Sequence, residues 1–268
     1  MESNELYRLI KQTRDRVIPP PERVVDEAFR ELGLASASPK DVLRNFNEYL
    51  KSVFNKTLEV LERYEDDAYR KEILSEICRV RSHPLLSKAF PGRVLKRSDF
   101  IETTSKALEL LYPDLWHVFL SRSQSRKARG GLDFQIQVAK LLSLAGVPFE
   151  QQIRRYKVDF LIPSLKAFNA DRTRTSVLSA KRTLRERWRE VVEELYNTRC
   201  PNVYLATTNS EAFISEEKVS ELKRYNIHLV VWDEVKEAKF REEPMVIGYS
   251  RFANSDLMVF KEYWKSLS

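Results

Sequence analysis

Four short apolar runs in the second half of the chain set the frame: Val158–Ile162, Ser176–Ala180, Val203–Thr207 and His228–Trp232. Each spans five residues and is dominated by β-branched and large apolar side chains, the length and composition of a buried strand rather than of a helix. Gln151–Ile153 reads as one more strand ahead of them, and Pro163-Ser164 ends the run it follows. The stretches between and around them carry helical patterns: Gly131–Leu144, the polar-faced Leu184–Tyr196, and a closing helix from about Asp256 to Leu267. Strands alternating with helices in this way imply an α/β fold, a mixed sheet core flanked by helices. Only 6 glycines occur in 268 residues, which argues against a many-stranded barrel or sandwich turning on tight glycine loops.

The first third has no such strand runs. Residues 1–17 predict a helix that stops at Pro19-Pro20-Pro21, and Glu22–Leu32 predict a second. Ser38-Pro39-Lys40-Asp41 is a helix start. Val42, Phe46, Leu50, Val53, Phe54, Leu58 and Leu61 follow at helical spacing as far as Arg63. Pro84, Pro91 and Gly92, among basic residues, mark a linker over 84–98, and a helix over 99–121 is expected to be interrupted near Pro113. The division expected is a helical N-terminal region, 1–98, serving dimerisation or DNA contact, and a core, 99–268. No internal repeat or low-complexity tract is visible.

Composition removes several classes of function. With 43% apolar and 32% charged residues the chain can bury a core. No run approaches the roughly 18 apolar residues of a membrane span, and Met1–Arg14 lacks the apolar segment of a signal peptide, so a cytoplasmic protein is expected. Cys78 and Cys200 make no disulfide framework, and His83, His117 and His228 make no ligand pair of the kind zinc hydrolases use. The charge is unevenly placed. Lys and Arg number 46 and Asp and Glu 39, a net of +7, yet residues 121–190 hold 16 positive and 6 negative side chains, or +10. The rest of the chain therefore nets −3. Such a block is the footprint expected for contacts to nucleic-acid phosphates.

Within that block Asp159 lies on one strand, Lys181 ends the next, and Glu194 follows on a helix. An Asp and a Lys on neighbouring strands can meet at one end of a sheet, and a carboxylate from the following helix can fold back onto them. Phosphodiester hydrolysis uses such a set. Carboxylates hold Mg²⁺, which neutralises the phosphate and acidifies the attacking water, and a lysine stabilises developing charge. Many nucleases of this kind carry an acid two residues before the Lys. Here that residue is Ser179, so Glu194, or else Glu193 or Glu190, must supply the second carboxylate. Directly after Lys181 comes Arg185-Glu186-Arg187 at a helix start. Three Arg in the first turns oppose the helix dipole, so stability alone does not explain them. Arg can grip guanine O6 and N7, and Glu can accept from cytosine N4, so this cluster suits reading of G·C pairs in the major groove. Trp188 reads as a core residue.

In this order and spacing the sequence resembles the EcoRII–SsoII–PspGI group of Type II restriction endonucleases, on the PD-(D/E)XK fold. The carrying residues are Val158-Asp159-Phe160, Ser179-Ala180-Lys181, the segment Arg185-Glu186-Arg187-Trp188-Arg189, and Glu194, with an upstream Arg-rich stretch Ser123–Gly131. The resemblance covers about residues 121–232. It implies Asp159 and Glu194 as metal carboxylates for Mg²⁺, Lys181 as the catalytic lysine, and Arg185, Glu186 and Arg187 as readers of paired C·G base pairs. Gln124 would approach from the minor groove, and Arg126, Lys127 and Arg129 would touch phosphates. It further implies a prokaryotic, cytoplasmic homodimer that cuts double-stranded DNA before the first C of a palindromic CC…GG site (CCNGG- or CCWGG-like), leaving 5′-phosphate ends and flipping central bases. A cognate methyltransferase would act on the same site. Phe46, Tyr49, Phe54 and Phe90 are the aromatics available to stack on a flipped base, although each reads more readily as core. Where the group often has a Glu on its first core helix, this chain offers Asp133 or Gln135, and Val158 replaces the usual Pro before the metal-binding Asp. Two other readings stand beside this one, a structure-specific repair or junction nuclease of the same fold and a DNA-binding module without catalysis.

Overall fold

A computed structural model of the chain describes residues 3–77, 97–154, 156–184 and 188–265. It divides into two compact units that interleave along the sequence: residues 1–24 with 57–129, and residues 25–56 with 130–268. The elements are α1 (Ser3–Val17), α2 (Pro21–Glu31), α3 (Pro39–Arg44), α4 (Phe46–Glu65), α5 (Arg97–Leu144), β1 (Glu150–Ile153), β2 (Val158–Ile162), α6 (Leu165–Ala170), β3 (Ser176–Lys181), α7 (Trp188–Asn197), β4 (Val203–Thr207), α8 (Glu216–Arg224), β5 (Ile227–Val231), α9 (Asp233–Lys239) and β6 (Val246–Gly248). Short helical turns close the chain from Tyr249 to Lys265.

The helix starts follow local chemistry. The Ser38 hydroxyl accepts from the Asp41 N–H at 3.2 Å, with Pro39 in the first turn of α3. Ser164 and Ser215 cap α6 and α8 in the same way, and α8 has Glu216 and Glu217 at its start and Lys223 and Arg224 at its end, in keeping with its dipole.

The first unit is helical. Leu6, Ile10, Leu61, Tyr69, Ile73, Ile77 and Val118 are buried. Glu65 is buried with them, and its carboxylate accepts from Arg122 Nε at 3.0 Å and from Arg126 Nε at 2.7 Å.

The second unit carries one six-stranded sheet in the order β1-β2-β3-β4-β5-β6. The first three strands run antiparallel to one another, and β3 to β6 run parallel. Parallel strands need helical crossovers, which α7, α8 and α9 supply. Strand periodicity divides the core between the two faces. Phe160, Ile162, Leu178 and Ala180 pack with Phe134, Val138, Leu141 and Leu142 of α5 and with Phe46 and Leu50 of α4. Leu161 and Val177 pack with Trp188, Val192 and Leu195 of α7. Trp188 is thus a core residue, as its sequence context suggests.

Three expectations need correction. The break near Pro113 and the separate helix from Gly131 are one helix, α5. Pro113 removes one N–H, and two glycines weaken a helix by about 1 kcal/mol each relative to Ala. Buried Leu111, Val118, Phe134, Val138, Leu141 and Leu142 along the same element outweigh those terms. The polar-faced helix is described only from Trp188, and Arg182–Leu184 are not helical. The closing helix begins earlier and in irregular turns, because Tyr249, Phe252, Ala253, Leu257 and Trp264 all turn into the core. The linker expected over 84–98 lies mostly outside the described residues. β6 escapes pattern reading because three residues are too short to alternate. Among the described residues no helix is long and apolar enough to cross a membrane.

Candidate active site

The β2–β3 pairing sets Phe160 opposite Leu178 and Leu161 opposite Val177. One step further, the same antiparallel register brings Asp159 beside Ser179. The consequence is a dense set of hydrogen bonds on one carboxylate. Oδ2 of Asp159 accepts from the Ser179 hydroxyl at 2.9 Å, the Ala180 N–H at 2.8 Å and Lys181 Nζ at 3.0 Å. Oδ1 accepts from Gln135 Nε2 at 2.8 Å and from Lys181 Nζ at 3.3 Å. Period two places Ser179 and Lys181 on the same side of β3, so both reach the carboxylate while Ala180 contributes its backbone. The Asp159 side chain is 14% exposed and that of Lys181 31%: the pair is largely shielded yet open on one side.

Glu194, on α7, pairs with Lys157 Nζ at 3.5 Å, two residues before Asp159. The helix therefore returns its carboxylate to the end of β2 that carries Asp159. Glu193 and Glu190, the other acids considered for this role, are exposed.

Of the two α5 residues offered in place of the group's Glu, Gln135 is the one seen on Asp159. It is half-buried on α5 and bonds Asp159 directly, whereas Asp133 is buried on the same helix. The helix thus brings an amide to the Asp159 carboxylate. Two further members of the site were not assigned roles from sequence: Ser179, which looked only like a missing acid, and Lys157. The signal that finds Ser179 is the strand register, which sets residue 159 opposite residue 179; Lys157, in the turn before β2, is found only through its contact with Glu194.

The other expected residues are distributed as follows. Arg185, Glu186 and Arg187 lie outside the described residues, as does Phe90. In the first unit, Gln124 is exposed and lines a shallow cavity of about 300 Å³ with Leu6, Tyr7, Ile10, His117, Leu120 and Ser121. Arg126 is bound to Glu65, whose carboxylate raises the guanidinium pKa further, and to Glu62 at 3.4 Å. Lys127 is exposed and Arg129 half-buried. In the second unit Phe46 is fully buried, Tyr49 donates its hydroxyl to Asp41, and Phe54 lies beneath the Arg182 guanidinium.

The donor set suits a hard cation. Mg²⁺ takes few protein ligands, commonly one or two carboxylates, and completes its shell with water and substrate phosphate. Asp159 and Glu194 are the carboxylates that could hold such an ion; among the described residues no group of three His, Cys, Asp or Glu is gathered closely enough to do so.

Known proteins similar to this chain are restriction endonucleases. A profile of the EcoRII C-terminal family matches residues 93–252. The chain is 26% identical over 276 aligned positions to the Type II restriction enzyme SsoII of Shigella sonnei, covering 98% of this chain and 85% of the relative. Among solved structures it is similar to metal-depleted Ecl18kI in complex with uncleaved, modified DNA, at 25% identity and a TM-score of 0.84, covering 99% of this chain and 86% of the other. It also shares its fold with a PspGI–substrate DNA complex, at 20% identity and a TM-score of 0.64 over 91% of this chain and 94% of that one. The profile spans more than half of the sequence and includes Asp159, Lys181 and Glu194: the chain belongs to the EcoRII C-terminal family of restriction endonucleases.

Proposed function

We propose that the protein is a Mg²⁺-dependent Type II restriction endonuclease that cuts double-stranded DNA at a palindromic site with a CC…GG core, CCNGG- or CCWGG-like, leaving 5′-phosphate ends. The observation that carries this reading is the Asp159–Lys181 pair, 3.0 Å apart on neighbouring strands, with Glu194 held by Lys157 two residues before Asp159. When bound, Mg²⁺ supplies charge neutralisation at the phosphate and acidification of the attacking water. Asp159 and Glu194 are the residues that would hold it. Ser179, the Ala180 N–H and Gln135 fix the rotamer of Asp159, so its lone pairs have one direction. Lys181 donates to Asp159 before substrate arrives and is placed to donate to a scissile phosphate oxygen as charge develops there.

Arg185, Glu186 and Arg187 are the proposed readers of the C·G pairs, Gln124 the minor-groove contact, and Arg126, Lys127 and Arg129 the phosphate contacts. Arg126 already has two carboxylate partners, so Lys127 is the more available of these. The division of roles, a helical region over 1–98 and a PD-(D/E)XK core over 99–268, belongs to the same proposal. A palindromic site calls for a two-fold dimer. Ile101, Leu108, Tyr112, Trp116 and Phe119 stay exposed on α5, an apolar series that suits burial against a second copy.

Digestion of phage λ DNA with Mg²⁺ and with EDTA, followed by sequencing of fragment ends, tests the reading. Discrete ends sharing a CC…GG core, seen only with Mg²⁺, are expected. A smear, branch-dependent nicking, or DNA binding without cleavage would each overturn it.

A further inference from the structure

The residue after the catalytic lysine is held as firmly as the lysine itself. The Arg182 carbonyl accepts from the Thr208 N–H at 3.3 Å, Thr208 Oγ1 at 2.9 Å and Thr207 Oγ1 at 3.3 Å, so its backbone is tied to the end of β4. The even positions of β3 face α5, and Arg182 continues that side. Its guanidinium carbon lies 5.3 Å from the centroid of the Phe54 ring. It also presses on Gly130 of α5: a Cβ at that position would come within 2.1 Å of Arg182 Nη1. Phe54 meets Trp232 edge-on at 6.2 Å, and Trp232 packs on Tyr249 at 5.1 Å, whose hydroxyl donates to the Thr207 carbonyl at 3.0 Å. Both the backbone and the head of this arginine are therefore preorganised.

Among the described residues no ion pair accounts for that order. A guanidinium offers five donors, and one stacked on a ring keeps its edges free for a planar acceptor. Arg182 is half-buried, and among the described residues no carboxylate pairs with it, whereas Arg122, Arg126 and Arg189 each have at least one. A partly desolvated charge without a counter-charge weakens a fold unless something else supplies the anion. Gly130 lies five residues before Gln135, the α5 residue bound to Asp159; at the helical rise that is about 8 Å along the axis. The guanidinium and the cleavage centre thus lie within the span of neighbouring phosphates on one strand.

We propose that Arg182 is a DNA-phosphate clamp beside the cleavage centre, with Phe54 as its platform and Gly130 as the notch that admits it. The inference rests on the nuclease reading. It also gives the glycine a reason: any side chain at position 130 displaces the arginine head.

The test is binding of a short duplex carrying a cut site mapped from wild-type digestion, titrated in EDTA across a salt series. Arg182→Gln is expected to weaken binding roughly tenfold or more. It should lower the slope of log K against log salt by about 1 and leave the preference over a scrambled duplex unchanged, the signature of a phosphate contact. Gly130→Ala keeps every charge and improves helix propensity, so its thermal midpoint should not fall. It should nevertheless weaken binding severalfold and add nothing in the Arg182→Gln background. An unchanged salt slope in Arg182→Gln, an altered sequence preference, or wild-type affinity in Gly130→Ala would each overturn the clamp. If Arg182→Gln does not fold, the Gly130→Ala result alone decides. Failure of wild-type protein to cut λ DNA at discrete positions would instead remove the nuclease reading beneath it.

Discussion

Replacing Asp159 with Asn tests the geometry of the site by the sign of its effect on stability. In a site crowded with carboxylates, removing one charge relieves repulsion and stabilises the metal-free protein. Here the Asp159 carboxylate is met by donors: Gln135, Ser179, the Ala180 N–H and Lys181. An Asn must put its own NH₂ at one of the two oxygen positions. At Oδ2 it would confront three donors. At Oδ1 it confronts Gln135, whose amide can turn over and present its oxygen, and only the longer 3.3 Å contact of Lys181, so the Asn nitrogen takes that corner. What remains lost is charge. The Ser179 and Ala180 bonds fall from charge-assisted to neutral, about 0.5–1 kcal/mol each. The Lys181 pair adds little, because water reaches the lysine. The sum is about 2 kcal/mol, or a fall of roughly 4–8 °C in the midpoint of thermal unfolding. The assay is a thermal melt in EDTA followed by circular dichroism. Adding Gln135→Leu removes the amide that turns over, so Asp159→Asn should be about 1 kcal/mol more damaging in that background. An Asn variant as stable as wild type, or more stable, would refute the donor-rich description of the site.

Three other outcomes are expected. Lys181→Ala should abolish cleavage while leaving specific DNA binding in a mobility-shift assay intact; loss of binding instead would make Lys181 a recognition residue. Arg187→Ala should weaken binding by about 1–3 kcal/mol per contacted base pair and blur the cleavage site, read by sequencing fragment ends; an unchanged preference would remove it from the readout. Glu65→Gln should destabilise the helical unit by roughly 2 kcal/mol in a denaturant titration, because it leaves Arg122 and Arg126 around an uncharged buried group.

The parts of the fold that depend on local patterns could be read from sequence, and the parts that depend on long-range packing could not. Val158–Ile162 and Val203–Thr207 are apolar enough to declare themselves, and the structure places strands at those positions. Pro113 and Gly130-Gly131 are local signals for interruption, yet α5 runs through them because buried side chains on either side, Leu111, Val118, Phe134 and Val138, hold the helix. At the site, Asp159, Lys181 and Glu194 could be named from residue type and order, and the Asp159–Lys181 contact bears out the first two as neighbours. Ser179 and Gln135 could not be assigned their role, because a hydroxyl and an amide have no chemistry that identifies them until the register and the helix bring both to one carboxylate.

The same two neutral residues bear on the order in which DNA and metal arrive. Asp159 pairs with Lys181 and Glu194 with Lys157, so the described site carries no net negative charge toward an approaching phosphate. Had Ser179 and Gln135 been acids, a phosphate entering without a cation would meet two further unpaired carboxylates. Gln135→Glu restores one of them beside Asp159. At about 8 Å and an effective dielectric near 20, one added charge repels a phosphate by about 2 kcal/mol before screening, or about tenfold in affinity at low salt. The expected result is weaker DNA binding in EDTA, recovered on adding Ca²⁺, with wild-type binding far less sensitive to the ion. Equal affinity of Gln135→Glu and wild type in EDTA would show that the neutrality of this site has no part in admitting DNA ahead of metal.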